Sequence, residues 1–441
     1  MKHIYSFLIL LVLTPSTTLG AQEFSEVWVQ IEAHSPAHKA TALEYESAQI
    51  SYEMSKQHWL PQVYLNANAY HTNDPGALFF GVIQQRDLQA SDFNPSLINE
   101  PDASLYAQGA LGVNINLYEG GMSASKQKMM EHLKNAKEHH RNQTRASLYL
   151  AVAKSYIEVG VLNYKVKELK NLRDQVDGLL KRYQFGSREN PVGYSGLLGL
   201  KSLRLRLVGQ INQYSTHSRA LQETLQTMGS QVDISSLMIA DPRAFVKRNI
   251  FTKSNQNSSQ ESFELEVKLE QSKASTMMAE MEKARYRPRI GAFAETYLFN
   301  GKRDTATGYT AGVYLQWSLF NPSDRGVYKK SRLQAEAYGQ YAQALRVQQE
   351  AQKNAFQKQL TAIDENLDLL NQSAKAMDEQ LKTMERLFKN GSINALQLAE
   401  VFNRRADVIA QTFEAAQSYV ESAEKSSQQT KLDPNQILKV K

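Results

Sequence analysis

The 441-residue chain contains no cysteine, so neither a disulfide framework nor thiol chemistry is available to it. It has no stretch of about 18 uninterrupted apolar residues, so the sequence predicts no transmembrane helix. Proline is missing between Pro101 and Pro191 and again between Pro322 and Pro434, which leaves room for two very long helices. The net charge of +6 is small for this length and basic residues alternate with acids, so we expect no nucleic-acid partner.

The N-terminus has the pattern of a secretory signal peptide. Residues 1–3 are a short basic start, residues 4–13 are apolar except for Ser6, and small residues suited to cleavage follow up to Ala21. This apolar run is too short to cross a membrane as a helix. We therefore expect residues 1–21 to be removed on export, and any membrane insertion of the mature chain to use strands.

Two long segments carry an apolar seam with a period of 3.5 residues, the repeat of a coiled coil. The first, at about 122–185, would reach about 96 Å as a single helix. Its seam is apolar except at Ser155 and Arg173 and consists of Leu148, Val152, Ser155, Val159, Leu162, Val166, Leu169, Arg173, Val176, Leu180 and Tyr183. The second, at about 323–389, has an unbroken seam of Phe356, Leu360, Ile363, Leu367, Leu370, Ala374, Met377, Leu381, Met384 and Phe388.

Four shorter segments, at about 62–70, 108–117, 289–299 and 308–319, alternate with the period of a β-strand. One side of each is apolar and could face lipid, while the other could face water. A soluble sheet would predict more strands nearby. Four strands cannot close a membrane barrel, and open strand edges are not tolerated in lipid. Several chains would therefore have to pool their strands.

The order helix, strand, strand, long helix, turn, shorter helix occurs twice, which indicates a duplicated unit. From Leu117 to Gly186 the distance is 69 residues, and from Leu319 to Gly391 it is 72 residues. We expect a first structural repeat at 22–230 and a second at 261–427. A connecting segment at 231–260 would lie at mid-height, and a polar tail would occupy 428–441.

These features resemble the TolC-type outer-membrane efflux proteins over essentially the whole mature chain. The resemblance rests on the signal peptide, the duplicated plan, Pro61 and Pro288 before the first strand of each repeat, the Leu-Tyr-Glu-Gly-Gly break at 117–121 and the Gly-Ser turns after the long helices. It implies a mixed fold of α-helix and membrane β-sheet. The expected assembly is a homotrimer whose 12-stranded outer-membrane β-barrel continues into a long α-helical coiled-coil periplasmic tunnel.

The resemblance also implies a function. The chain would be the passive exit duct of a tripartite efflux or type I secretion system in the outer membrane of a Gram-negative bacterium. Its partners would be a periplasmic adaptor (membrane fusion protein), an inner-membrane pump or ABC exporter, and outer-membrane lipid. The sequence leaves open whether the substrate is a drug, a metal ion or a secreted protein.

Two turns after the long helices are the expected periplasmic tip and adaptor contact, Phe185-Gly186-Ser187 and Asn390-Gly391-Ser392. The alternative for each is a helix C-cap in which glycine takes a left-handed conformation. In some members of the family, acids just beyond the second turn ring the tunnel entrance, and the matching positions here are Gln397 and Glu400. Glutamine stands where an acid is common, and Glu400 could equally lie on a solvated helix face.

No phosphate loop, nucleophile elbow or acid–base pair is recognisable, so we expect neither enzymatic activity nor a cofactor. The histidines at 34, 38, 132, 139 and 140 have no acid or cysteine that completes a metal site. The alternative function is a structural coiled-coil protein of the cell surface, or a scaffold, without transport activity. That alternative accounts for the two seams but not for the four alternating segments.

Overall fold

The computed structural model describes residues 21–182, 190–229, 232–251 and 261–439. Its helices are α1 (Phe24–His34), α2 (Pro36–Lys56), α3 (Pro75–Gln84), α4 (Pro95–Asn99), α5 (Met122–Arg182), α6 (Pro191–Met228), α7 (Arg243–Asn249), α8 (Phe263–Ala284), α9 (Val327–Lys389), α10 (Ala395–Gln428) and α11 (Pro434–Lys439). The strands are β1 (Gln62–Thr72), β2 (Ser104–Glu119), β3 (Arg289–Asn300) and β4 (Thr305–Gln316). Short 3₁₀ turns lie at Ala90–Phe93 and Pro322–Asp324.

The chain divides into two compact units. The helical unit combines Met1–Thr41, His140–Glu264 and Arg346–Lys441, and the sheet unit combines Ala42–His139 with Leu265–Leu345. The sheet unit contains all four strands, and both long helices, α5 and α9, begin in it and end in the helical unit. No helix in the described ranges is long and apolar enough to cross a membrane.

The four strands form one antiparallel sheet in the order β1-β2-β3-β4. The register aligns Val63, Val113, Ala294 and Ala311 in a single row across the sheet. Since side chains of a strand alternate between faces, this register brings the apolar sides of all four strands onto one face. In the described chain β1 and β4 are edge strands, and β4 lies three residues earlier than the expected 308–319.

Each long helix begins directly after a glycine in the left-handed region of backbone space. Gly121 has φ +90° and Gly326 has φ +86°. The carbonyl of Gly121 accepts a hydrogen bond from the N–H of Ser125 at 3.1 Å, and that of Gly326 from the N–H of Lys330 at 2.8 Å. The second long helix thus starts at Val327 rather than at the expected 323, because a separate 3₁₀ turn precedes it.

Two apolar clusters fill the helical unit. The first packs α1 against α5, α7 and α10, with Trp28 and Tyr149 among its fully buried side chains. The hydroxyl of Tyr149 donates to the carbonyl of Asn249 at 2.9 Å, which satisfies the buried phenol. The second cluster joins α5, α6, α9 and α10 through side chains such as Leu169, Leu200, Leu381 and Phe402.

Three segments are more ordered than the sequence indicates. The connection between the first two strands, for which the sequence shows no periodic pattern, contains α3 and α4. The described part of the connecting segment, 232–251, contains α7 and buries Val246 and Ile250, although its sequence has no periodic pattern. The tail at 428–441 was expected to be polar, yet its Leu432 and Ile437 belong to the first cluster. Residues 77–83 of α3 are a continuous apolar run, and the apolar residues of the other two segments are few, so none of the three shows a helical period.

Candidate functional site

The turn Asn390-Gly391-Ser392 ends α9 and is exposed. Gly391 has φ +73°; the N–H of Ser392 donates to the carbonyl of Leu387 at 2.9 Å, and the N–H of Gly391 to that of Phe388 at 3.1 Å. This pair of bonds is the Schellman arrangement, which satisfies the last carbonyls of a helix. The C-cap role is therefore present, and adaptor contact stays a prediction. The other turn, Phe185-Gly186-Ser187, lies outside the described residues.

Gln397 has a structural role at the start of α10. Its backbone N–H donates to Asn394 Oδ1 at 2.9 Å, and its own Oε1 accepts from the N–H of Asn394 at 3.1 Å. This is a capping box, in which two otherwise unpaired N–H groups at a helix start are satisfied reciprocally. Either glutamine or glutamate can accept this hydrogen bond, so helix capping explains why a glutamine stands at position 397 without any role at the tunnel entrance. Its expected position at the tunnel entrance stays a prediction.

Glu400 lies one turn further along α10 and is exposed. Its Oε1 accepts from Arg404 Nε at 3.1 Å, and both side chains are more than half exposed. On the same helix Asp407 pairs with Arg206 of α6, whose guanidinium also donates to Asn403 at 3.2 Å. The acid considered for the tunnel entrance is thus balanced by a cation within the same chain.

Buried charges in the helical unit were missed by the sequence reasoning. Arg405 is 8% exposed; its Nε donates to Asp378 at 2.6 Å, and its Nη2 lies 3.5 Å from Glu168. It thereby connects α10 to α9 and α5. Its burial could have been predicted from helical spacing. Arg405 lies three residues after Phe402 and four before Ile409, which places it on the apolar side of its helix.

Lys165 on α5 is the second buried charge and is 3% exposed. Its Nζ lies 3.6 Å from the ring centre of Tyr214 and 4.1 Å from that of Phe413, and within the described residues it has no hydrogen-bond acceptor. Burial lowers the pKa of the ammonium to about 8, against a smaller opposing effect of Glu414. Together with Arg405 and Phe413, Lys165 lines a cavity of about 200 Å³.

One face of the sheet is an exposed apolar surface, which we call the apolar face. It includes Val63, Leu65, Leu105, Leu111, Ile290, Leu298, Tyr309, Val313 and Leu315, all of them exposed. Contiguous apolar patches of this kind mark contact with a membrane or a partner rather than with water. The opposite, polar face includes Tyr64, Asn66, Asn68, Gln108, Asn114, Asn116, Glu295, Tyr297, Thr310 and Tyr314.

The histidines of α5 contact acids of α8 in the sheet unit. His132 Nδ1 lies 2.8 Å from Glu270, and His139 Nδ1 lies 2.9 Å from Glu266. Each is a single pair between two helices. Across the described ranges no group of three or more histidine, aspartate or glutamate side chains is arranged to hold a metal ion.

The architecture matches solved membrane channels along almost the whole chain. CusC aligns with a TM-score of 0.74 and 8% identity over 95% of this chain and 96% of its own. The outer-membrane channel OprN aligns with a TM-score of 0.73 and 14% identity, over 92% and 89% of the two chains. The CmeC outer membrane channel of Campylobacter jejuni aligns with a TM-score of 0.72 and 11% identity, over 100% and 96%.

The chain has the fold of the outer-membrane channels. This confirms the fold-level resemblance to the TolC-type proteins. The amino-acid sequence itself matches neither a protein-family model nor a curated protein. Because the identities are 8–14%, the likeness extends to the outer-membrane channel fold and not to individual site residues.

Proposed function

We propose that this chain is the outer-membrane channel of a tripartite efflux or type I secretion system. It conducts substrates passively from an inner-membrane transporter, across the periplasm and the outer membrane of a Gram-negative bacterium. Energy comes from the partner transporter, so the chain itself needs no catalytic centre and no cofactor. The outer-membrane channel fold supports this assignment at the level of architecture.

The observation that carries the proposal is that the sheet exposes an apolar face and has two open edges. Its apolar face is exposed along all four strands, and β1 and β4 are unpaired edges in the described chain. Unpaired backbone groups cost several kcal/mol each in lipid, so a four-stranded sheet enters a membrane only when other strands close it. Three copies supply twelve strands, an even number within the range of closed outer-membrane barrels.

The helices support an extension away from that barrel. An α-helix of 61 or 63 residues, the lengths of α5 and α9, reaches about 90 Å. Both helices follow a left-handed glycine at the end of a strand pair, which supports a duplicated unit with repeats at 22–230 and 261–427. The connecting segment 231–260 then lies at mid-height of a helical tunnel in the periplasm.

The far ends of the long helices are the proposed docking surface. Asn390, Gly391 and Ser392, with Phe185, Gly186 and Ser187, contact a periplasmic adaptor, and the adaptor links the channel to an inner-membrane pump or ABC exporter. The second turn is exposed, and no atom of the described residues lies within 4 Å of a Cβ built at Gly391, which supports a surface free to receive a partner. Gln397 and Glu400 follow this turn as the tunnel-entrance candidates.

Membrane fractionation followed by conductance recording tests the proposal. The full chain, expressed with its signal in a Gram-negative host, should appear in the outer membrane and require detergent for extraction. It should run as a heat-modifiable trimer on a gel, and the purified trimer should conduct ions in a planar bilayer. Export in cells should require co-expression of a cognate adaptor and transporter.

The opposite results would favour the alternative function. A mature chain that stays soluble without detergent, or a purified trimer that conducts no ions, would refute the channel. Either outcome would point to the structural coiled-coil surface or scaffold protein, which needs the helical seams but not the apolar sheet face.

A further inference from the structure

One acid stands alone in the middle of the sheet. The four strands contain three residues charged at neutral pH: Glu119, Arg289 and Glu295. Glu119 and Arg289 are terminal residues of β2 and β3 and lie opposite each other in the register. Glu295 is the seventh of the twelve residues of β3 and lies on the polar face between Gly112 and Thr310.

Two tyrosines hold the carboxylate of Glu295 in place. The ring of Tyr64 crosses over Gly112, where a Cβ would clash with it, and the hydroxyl of Tyr64 donates to Glu295 Oε1. The hydroxyl of Tyr297 donates to Glu295 Oε2. Among the described residues no lysine, arginine or histidine forms an ion pair with this carboxylate. The sheet thus carries an uncompensated negative charge held by neutral donors.

A second crossing of the same kind shows that the negative charge is not needed for the construction. The ring of Tyr314 on β4 crosses over Gly291 of β3, and its hydroxyl donates to Asn116 Oδ1 of β2 at 3.0 Å. In this crossing the neutral amide of Asn116 accepts the tyrosine hydrogen bond, whereas in the first crossing the carboxylate of Glu295 accepts it. A tyrosine that spans two strands therefore needs an acceptor, and an asparagine or glutamine suffices. The charge of Glu295 calls for a separate reason.

We propose that Glu295 is a specificity-determining residue that makes the outer-membrane end of the channel favour cationic solutes. The inference rests on the proposed function, in which the polar face lines the water-filled interior of the closed barrel. Three symmetric copies then form a ring of carboxylates at one height. Rings of acidic side chains are a known way to select cations, and neutral tyrosine donors fix the carboxylate without cancelling its charge.

Screening by salt sets the conditions under which the ring acts. The Debye length is about 30 Å at 0.01 M salt and about 3 Å at 1 M. A ring of charges on the wall of a wide pore therefore influences the whole cross-section only at low ionic strength. Selectivity that comes from Glu295 must be strong in dilute salt and fade in concentrated salt.

Reversal potentials of single trimers in a KCl gradient test the inference. In dilute salt the wild-type channel should give a potential of the sign that indicates cation preference. Glu295→Gln removes the charge and can keep a hydrogen bond to each tyrosine, because the amide oxygen accepts from one hydroxyl and the amide NH2 donates to the other, so the reversal potential should shift toward zero. The difference between the two proteins should disappear near 1 M salt. Trimer yield and heat-modifiability of the variant check that it has folded.

A second variant separates charge from structure. Thr310 lies directly opposite Glu295 on β4, on the same face, so Glu295→Gln/Thr310→Glu returns a carboxylate to the ring at nearly the same height. Restored cation preference in this double variant supports the charge itself. Conduction with equal reversal potentials in wild type and Glu295→Gln overturns the inference and leaves the channel intact. A wild-type trimer that does not conduct overturns the proposed function and the inference together.

Discussion

The two long helices have the same apolar period but differ in how much of it one chain buries. On α5 the seam residues Val152, Val159, Leu162, Leu169 and Val176 are all at most 1% exposed. On α9 Leu367 and Leu381 are buried, while the other eight seam residues are only half-buried. Further apolar side chains of α9 are more than half exposed, including Leu333, Tyr341, Val347 and Leu369.

A coiled-coil seam therefore specifies that a helix packs against another helix but not which chain supplies that helix. Within one chain α5 is covered by α6 and α10 and, further along, by α1 and the α7 segment, whereas α9 lacks cover on one side. An uninterrupted seam that stays half-exposed is expected to pack against another copy, as the proposed trimer requires.

The largest effect is expected from truncating one seam residue on each helix. Leu162→Ala removes a fully buried side chain and should lower the free energy of unfolding by about 2–5 kcal/mol. Leu370→Ala on α9 should cost the isolated chain less, because Leu370 is half-buried, and should lower the temperature at which the trimer dissociates. Denaturant unfolding of the chain and unheated gel electrophoresis of the trimer measure the two effects.

An exposed position on α5 provides the control. Lys170→Ala should change stability by no more than about 0.5 kcal/mol, since the side chain is exposed. If Leu370→Ala destabilises the isolated chain as strongly as Leu162→Ala, α9 is already covered within one chain. The contrast between the two helices would then be lost.

The second prediction concerns Lys165, the buried lysine of α5. Lys165 lies 21 residues before Gly186, and Leu370 lies 21 residues before Gly391, so the two helices carry a lysine and a leucine at matching positions. Lys165→Met retains length and removes the cost of burying the ammonium, so it should stabilise the protein by roughly 1–3 kcal/mol at pH 7. Thermal unfolding in detergent measures the gain.

The stability difference between wild type and Lys165→Met should depend on pH, and the direction follows from the pKa of Lys165. The pKa of Lys165 is about 8 in the folded chain and lies below the usual value of about 10.4 for an unfolded lysine. Between these values the unfolded chain binds more protons, so wild-type stability should rise from pH 8 to pH 10.5 relative to that of Lys165→Met. Below pH 8 the full burial cost is present. A difference that does not change with pH would show that Lys165 is already solvated.

The sequence was sufficient for the strands and the seams because both depend on repeated patterns. The alternation around Leu65 and Val313 and the period through Leu162 and Leu381 each extend over many residues, and chance does not produce them. The order of the four strands and of the long helices follows for the same reason, whereas the short helices α3, α4 and α7 do not. The fold-level likeness to outer-membrane channels follows from that order.

The features that the sequence did not reveal depend on single contacts across long separations. Lys165 between Tyr214 and Phe413, and Tyr64 reaching Glu295 across Gly112, have no local pattern. Gln397 was matched to an entrance position by analogy, while its capping role follows from hydrogen bonds to Asn394. The start of α9 was missed because Pro322 marks a 3₁₀ turn, and the left-handed Gly326 marks the helix.

The third prediction compares two glycines whose missing side chains would both meet open space. At Gly391 and at Gly178 no atom of the described ranges lies within 4 Å of a Cβ built on the backbone, and of these two glycines Gly391 has the positive φ. Gly391→Ala should therefore destabilise by roughly 1 kcal/mol, whereas Gly178→Ala in the middle of α5 should stabilise by about 0.5–1 kcal/mol. Opposite shifts in unfolding temperature measure both.

Measurements of export distinguish the proposed role of Gly391 in adaptor contact from its role in ending the helix. A bulky substitution, Gly391→Leu, should abolish export while trimers remain in the membrane, because the exposed turn is the proposed adaptor contact. Gly391→Ala with a small loss of stability should retain more export than Gly391→Leu. Normal export by Gly391→Leu would leave the turn as a helix cap alone.

The smallest effect is expected at Glu400. Its ion pair with Arg404 allows the effect of the charge to be tested with single and double variants. Removing an exposed pair should change stability by less than about 0.5 kcal/mol. If the pair lies at the tunnel entrance, Glu400→Gln leaves Arg404 unbalanced and moves the reversal potential toward anion preference. Glu400→Gln/Arg404→Gln should return it close to the wild-type value, because the pair is neutral as a whole. A double variant that behaves like the single one would mean that Glu400 acts alone, and no change in either would assign Glu400 to a solvated helix face.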